Sequence, residues 1–156
     1  MWETAAVTAR VVALQVRTDR QAPPIALESA QGRLDGGMEG DFHVAKTTRA
    51  VLVVDRSTLD DLGLAPGDLR EQVTVEGLRE VTSLAPGALL RMGGIALRVN
   101  GPCDPCTHIG ELLEVADREA FRVSLVGRRG AVCTVVQATA PVRVGDEVEV
   151  VVPAVP

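Results

Sequence analysis

The sequence predicts a mainly β domain, a barrel or sandwich with a few short helices. Three observations carry that expectation. Glycine (15) and proline (9) cut the chain into short pieces. The pieces between them are rich in valine, leucine and isoleucine, and some alternate apolar and polar residues with period two, as QVTVE at 72–76 does. Helical patterning is sparse, so the strands are not regularly separated by the crossover helices of a parallel α/β sheet.

In chain order, TARVVALQVR (8–17) reads as the first strand and 25–30 as a possible second. Residues 32–46 form a glycine-rich charged loop, long enough to be functional. AVLVVD (50–55) is a buried strand. Ser57 then stands as a helix N-cap with Asp60 three residues on, and Gly63 ends that short helix. Residues 66–71 form a turn or short helical piece, followed by the strand 72–76. Residues 80–84, 89–93 and 95–100 read as further strands separated by Ala85-Pro86-Gly87 and Gly93-Gly94 turns. Residues 109–126 carry one or two helices, broken at Gly127-Arg128-Arg129-Gly130. AVCTVVQA (131–138) and DEVEVVV (146–152) close the chain as strands. The 156 residues suit one domain, 1–156, with a frayed tail at about 151–156.

Composition removes several function classes. With 16 basic and 21 acidic residues the net charge is -5, and aromatic content is 2 % with no tyrosine. Such a chain is a poor nucleic-acid binder, and no nucleic-acid partner is expected. Lys46 is the only lysine; His43 and His108 are the only imidazoles. No apolar run reaches the roughly 18 residues of a membrane span. The N-terminus lacks a signal-peptide pattern, so a cytoplasmic protein with reduced cysteines and no membrane partner is expected.

Chemistry concentrates in NGPCDPCTH (100–108), where glycine and proline stiffen the loop that presents Cys103 and Cys106. The residues leave several readings open. The pair suits thiol–disulfide exchange. With His108 and His43 it makes four possible zinc ligands. A single reactive thiolate with the other cysteine in support suits a soft metal or sulfur transfer. Both cysteines also fit plain packing, as Cys133 does in its valine-rich strand. Gly40-Asp41-Phe42-His43 ends the glycine-rich loop; His43 suits metal ligation, proton handling or anion contact and equally fits a plain surface-loop histidine, and Asp41 either orients it or makes a local turn bond. Arg49, Arg128 and Arg129 suit phosphate or carboxylate, although cations beside Gly130 are equally expected at a solvated helix C-terminus. Neither a P-loop, a dinucleotide fingerprint nor a nucleophile elbow is present.

In order, GGMEGDFH (36–43), RAVLVVDRSTLDDLG (49–63), APGDLREQVTVEGL (65–78), LAPGALLRMG (84–93), VNGPCDPCTHI (99–109), GRRGAVCTVV (127–136) and VRVGDEVEV (142–150) resemble the MOSC domain, related to the C-terminal part of molybdenum cofactor sulfurase. The resemblance implies a MOSC-type β-barrel and a signature cysteine, Cys106, that carries sulfur as a persulfide or ligates molybdenum of the pterin cofactor (molybdopterin). It is nearest the small stand-alone bacterial type linked to reduction of N-hydroxylated bases. Cys103 would then support or resolve. Arg49, Arg128, Arg129 and Gly40 are the residues expected to meet the cofactor. With no ferredoxin domain attached, a separate electron donor or sulfur donor protein is implied. The chain has Glu71-Gln72 where many relatives have Glu-Asn. A non-catalytic cofactor, metal or partner-binding module and a Cys103–Cys106 redox protein are the alternatives.

Overall fold

The structure is a computed structural model and describes residues 2–5 and 7–153. Its strands are β1 (Trp2–Thr4), β2 (Ala9–Val16), β3 (Ile25–Leu27), β4 (Ser29–Ala30), β5 (Val51–Asp55), β6 (Val73–Glu76), β7 (Leu89–Met92), β8 (Ile95–Pro102), β9 (Ala131–Ala138), β10 (Val142–Arg143) and β11 (Glu147–Pro153). Its helices are α1 (Arg56–Leu62), α2 (Thr107–Leu112) and α3 (Arg118–Ser124).

Seven strands close into a barrel in the order β11-β7-β8-β9-β5-β6-β2, with β2 pairing back onto β11. Closure removes the unpaired edges that an open sheet of valine-rich strands would expose. Strands β1 and β3 extend the ring on β11 and β2, and β4 pairs β10 in a separate ribbon. The region expected as one strand at 25–30 is therefore split between two sheets. Register shifts within β2–β6 and β8–β9 mark bulges, which bend strands as closure requires.

Strand β5 explains how one barrel carries a site. All five of its residues are buried. Val51 and Val53 face the barrel core with Val73, Leu97 and Val135. Leu52 and Val54 face outward into a second apolar cluster with Leu59, Leu69, Ile109 and Leu125, which seats the helices. This two-sided burial is why AVLVVD is apolar without alternation. The chain runs from β5 through α1 to β6, and β5 pairs β6 in parallel. That one β-α-β unit sits within an otherwise antiparallel barrel.

Three sequence expectations are corrected. The N-cap of α1 is Asp55, whose carboxylate accepts the Ser57 N–H, because the strand runs straight into the helix; Gly63 ends it in the left-handed conformation, as expected. Residues 80–84 do not form a strand: Val81–Ser83 is a single 3-10 turn, buried against β5, β8 and β9. Val151–Pro153 continue β11 rather than fraying, since β1 and β7 pair with them; 154–156 lie outside the described residues.

The glycine-rich loop lies on the barrel wall. Asp35 donates its N–H to the Val135 carbonyl, and Val135 donates to Gly36 O. A Cβ at Gly36 would stand 2.3 Å from Val44 O, so the close return of the loop on itself requires glycine. The loop thereby carries Asp41 and His43 to a fixed place beside β5.

Candidate functional site

A cavity of about 560 Å³ opens where five separate segments converge beside β5. Arg17 and Arg20 come from the loop after β2, and Phe42, His43, Lys46 and Arg49 from the glycine-rich loop and its exit. Arg70 and Gln72 lead into β6, Cys103 and His108 come from the cysteine loop and α2, and Arg129 precedes β9. Among the described residues six cations line it and no carboxylate does. Like charges gathered in one concavity raise the local positive potential despite the acidic chain, and they favour an anionic occupant.

Two of these cations are built in rather than left on the surface. Arg17 is 4 % exposed and Arg129 7 %. Each keeps a buried Nη1 without a hydrogen-bond partner among the described residues. A buried guanidinium N–H without a partner is costly, and an anion in the cavity supplies the missing acceptor. Burial pulls the pKa of Arg129 below the ordinary arginine value, opposed by the nearby Cys103 and Glu71. The Arg17 guanidinium lies 5.2 Å from the centre of the Phe42 ring. Arg70 reaches the cavity from a left-handed backbone, φ 68°, a conformation that costs a non-glycine residue roughly 1–2 kcal/mol.

Asp41 holds the cavity floor together. It is buried, and its carboxylate accepts Arg17 N at 3.0 Å, His43 N at 2.9 Å and Gln72 Nε2 at 3.1 Å. Burial nevertheless raises its pKa above the usual carboxylate range, against the pull of those donors and His43. Gln72 also accepts Leu52 N at 2.7 Å through its Oε1. The amide at this position therefore ties Asp41 to β5, which the longer glutamine side chain achieves while lining the cavity. Beneath it, Glu71 is buried, accepts Thr74 Oγ1 at 2.8 Å, and is pushed by burial toward its neutral form.

The sequence-predicted residues fall in different places. His43, Arg49, Arg129 and Cys103 line the cavity. Asp41 lies beneath it as an anchor for backbone and Gln72 rather than as a lining acid. Gly40 supplies a positive-φ turn, φ 87°, that delivers Asp41, and does not line the cavity. Arg128 points away: it donates to Ser124 O at 2.7 Å and to Asp61 Oδ2 at 3.1 Å, bridging the end of α3 to α1. Adjacent residues face opposite ways here, so only one of Arg128 and Arg129 enters the cavity. Sequence reading missed Arg17, Arg20 and Arg70; their only signal was an arginine at each end of an apolar or turn segment.

Cys103 and Cys106 occupy distinct environments. Cys103 is buried, its N–H donates to Gly130 O at 2.8 Å, and Arg49 Nη2 lies 4.0 Å from its sulfur. Cys106 is exposed at the residue before α2 and does not line the cavity. Both act on the charge of Arg129. Among the described residues no cluster of three or more His, Cys, Asp or Glu side chains is placed to hold a metal, so the zinc reading with His43 and His108 is not supported by the geometry. Cys133 is fully buried in the barrel core, and burial pushes its thiol up to about 12. A small alkylating agent at neutral pH is expected to modify Cys106 first and Cys133 only after unfolding, as peptide mapping would read.

Gly130 sets the position of Arg129. Its φ is 103°, its N–H donates to Thr82 Oγ1 at 2.9 Å, and a Cβ there would lie 2.4 Å from Val53 O. Gly130→Ala is expected to destabilise by roughly 2–3 kcal/mol. At this chain length that is a fall in Tm of about 4–12 °C in a thermal melt.

The family model described as MOSC domain matches residues 32–149. Among solved structures, the chain is similar to the YuaD protein from Bacillus subtilis, with TM-score 0.83, 24 % identity, 99 % of this chain and 100 % of that one covered. It is also similar to YiiM from Escherichia coli (TM-score 0.63, 20 % identity, covering 94 % and 71 %) and to YiiM from Geobacillus stearothermophilus (0.69, 15 %, 91 % and 74 %). At these identities the structural likeness shows the fold. No curated protein sequence matches the chain. No helix among the described residues is long and apolar enough to cross a membrane.

Proposed function

The chain belongs to the MOSC domain family, and on that premise we propose that its arginine-lined cavity holds a phosphate-bearing molybdenum cofactor. The family is linked to that cofactor, and the residues here fit it. The carrying observation is the pair of buried guanidinium groups, Arg17 and Arg129, each with an unpartnered Nη1 in a cavity without carboxylates. Its volume lies within the roughly 300–1,000 Å³ of small-molecule sites. Arg17 and Arg129 would hold the phosphate, with Arg49 beside them. Cys106, exposed and free at the N-cap of α2 beside the cavity-lining His108, would offer its sulfur to the metal, with Cys103 in support from the cavity wall. When bound, the cofactor supplies two-electron redox chemistry at its metal.

The finer reading is reduction of an N-hydroxylated base to the amine, which takes up two electrons and two protons and releases water. On this reading the two electrons would come from a donor protein, the partner that the family resemblance implies. The exposure of Cys106 favours a second reading, a sulfur carrier loaded by a donor protein. Anaerobic retention of molybdopterin on the metal-free protein, followed by ultrafiltration with and without sulfate as competitor, tests the cofactor reading. Retention that sulfate abolishes is expected. Retention unaffected by sulfate and by loss of Arg129 would overturn it.

A further inference from the structure

We propose that His43 takes up a proton when the cavity binds its anion, so that binding and protonation are one event. The inference rests on the reading of this cavity as an anion site.

The His43 ring faces the cavity and packs on Phe42, ring centroids 3.9 Å apart. Phe42 in turn carries the Arg17 guanidinium, so the imidazole belongs to the same packed wall as a buried anion ligand. Three cations bear on it from three segments: Lys46 from its own loop, Arg49 from the run into β5, and Arg20 from the loop after β2. One carboxylate opposes them. Asp41 Oδ2 lies 3.8 Å from His43 Nδ1, but that oxygen already accepts His43 N and Gln72 Nε2.

In the empty cavity the imidazolium is therefore disfavoured. Burial, then the three cations, lower the His43 pKa, and Asp41 compensates only in part. A dianion reverses the balance: it offsets the cations and gives the ring N–H a charged acceptor, which favours the imidazolium. Between the lowered free value and the raised bound value, each binding event draws in up to one proton. Below that window the ring is charged in both states and affinity is highest. Above it the ring is neutral in both and affinity is lowest. Across it, affinity falls up to tenfold for each unit of difference between the two values.

Sulfate is the probe, because it stays a dianion throughout the range from about pH 5 to 8 in which histidine titrates. Calorimetric titration at constant ionic strength, in buffers of different ionisation enthalpy, reads the protons taken up per sulfate. Uptake approaching one proton within the window is expected, together with affinity that declines as pH rises. In His43→Gln sulfate still binds, uptake vanishes and the affinity becomes independent of pH. His108 also lines the cavity, 3.6 Å from Glu111, and Cys103 carries a thiol there; His108→Gln and Cys103→Ser are expected to keep the uptake whatever their effect on affinity. Sulfate binding without uptake, or uptake that survives in His43→Gln, would overturn the inference alone. Failure of sulfate to bind at any pH would overturn the anion-site reading and this inference with it.

Discussion

Arg129→Met is expected to lower affinity for sulfate at least tenfold at fixed ionic strength, without lowering Tm. The guanidinium is buried, and its Nη1 has no partner among the described residues. A charge-assisted hydrogen bond there contributes about 1.5–3 kcal/mol to ligand binding, and 1.4 kcal/mol is a factor of ten. The stability side runs the other way. Burial raises the pKa of Glu71, the carboxyl that bears on Arg129, which lessens the charge left without its cation when the arginine is lost. An apolar side chain of similar length also removes a buried cation whose Nη1 has no hydrogen-bond partner among the described residues, and with it that desolvation cost. Calorimetry and a thermal melt on one preparation check both halves. Unchanged sulfate affinity would remove Arg129 from the ligand site.

Asp41→Ala is expected to be the most destabilising single change in the site, by about 3–6 kcal/mol. Its carboxylate accepts three donors from three segments, Arg17 N, His43 N and Gln72 Nε2. A buried donor left unpaired costs about 1–3 kcal/mol, as for Arg17 N and Gln72 Nε2, and the half-buried His43 N, still reachable by water, costs at the low end or less. At this length the loss corresponds to a fall in Tm of roughly 6–24 °C, readable by circular dichroism. The raised pKa of Asp41 is consistent with this. Burying the carboxylate is unfavourable in itself, yet removing it abandons three groups that are oriented by it. Gln72→Ala removes one of those donors along with its own acceptor for Leu52 N, and is expected to cost less.

The barrel was legible because its signals are local. Gly and Pro bounded the strands, and β9 and β11 follow the valine runs nearly as read. The doubly buried β5 was legible from its unbroken apolar run. Residues 80–84 misled because Val81 is buried through tertiary contacts of a 3-10 turn, and burial in so short a piece has no periodicity to read. In the site, His43 was found as one of only two imidazoles, at the end of the glycine-rich loop, and Arg49, Cys103 and Arg129 because each stands beside glycine, proline or a strand start. Arg17 was hidden as the last residue of a strand, and Arg70 as part of a turn. Their convergence depends on barrel closure, which brings residues 17, 43, 70, 103 and 129 to one rim, and no single-segment pattern encodes that. Arg128 was misassigned because charge alone does not say which of two neighbours a tight turn faces inward.

A molybdenum cofactor held in this cavity by its buried arginines would copurify with the protein. Molybdenum per chain, measured by element-resolved mass spectrometry on protein purified anaerobically from a host able to make the cofactor, tests it most directly. Near-stoichiometric molybdenum is expected in the unsubstituted protein, lost in Arg129→Met and in Arg17→Met although both variants remain folded. Zinc in place of molybdenum, or molybdenum retained undiminished in both arginine variants, would contradict it.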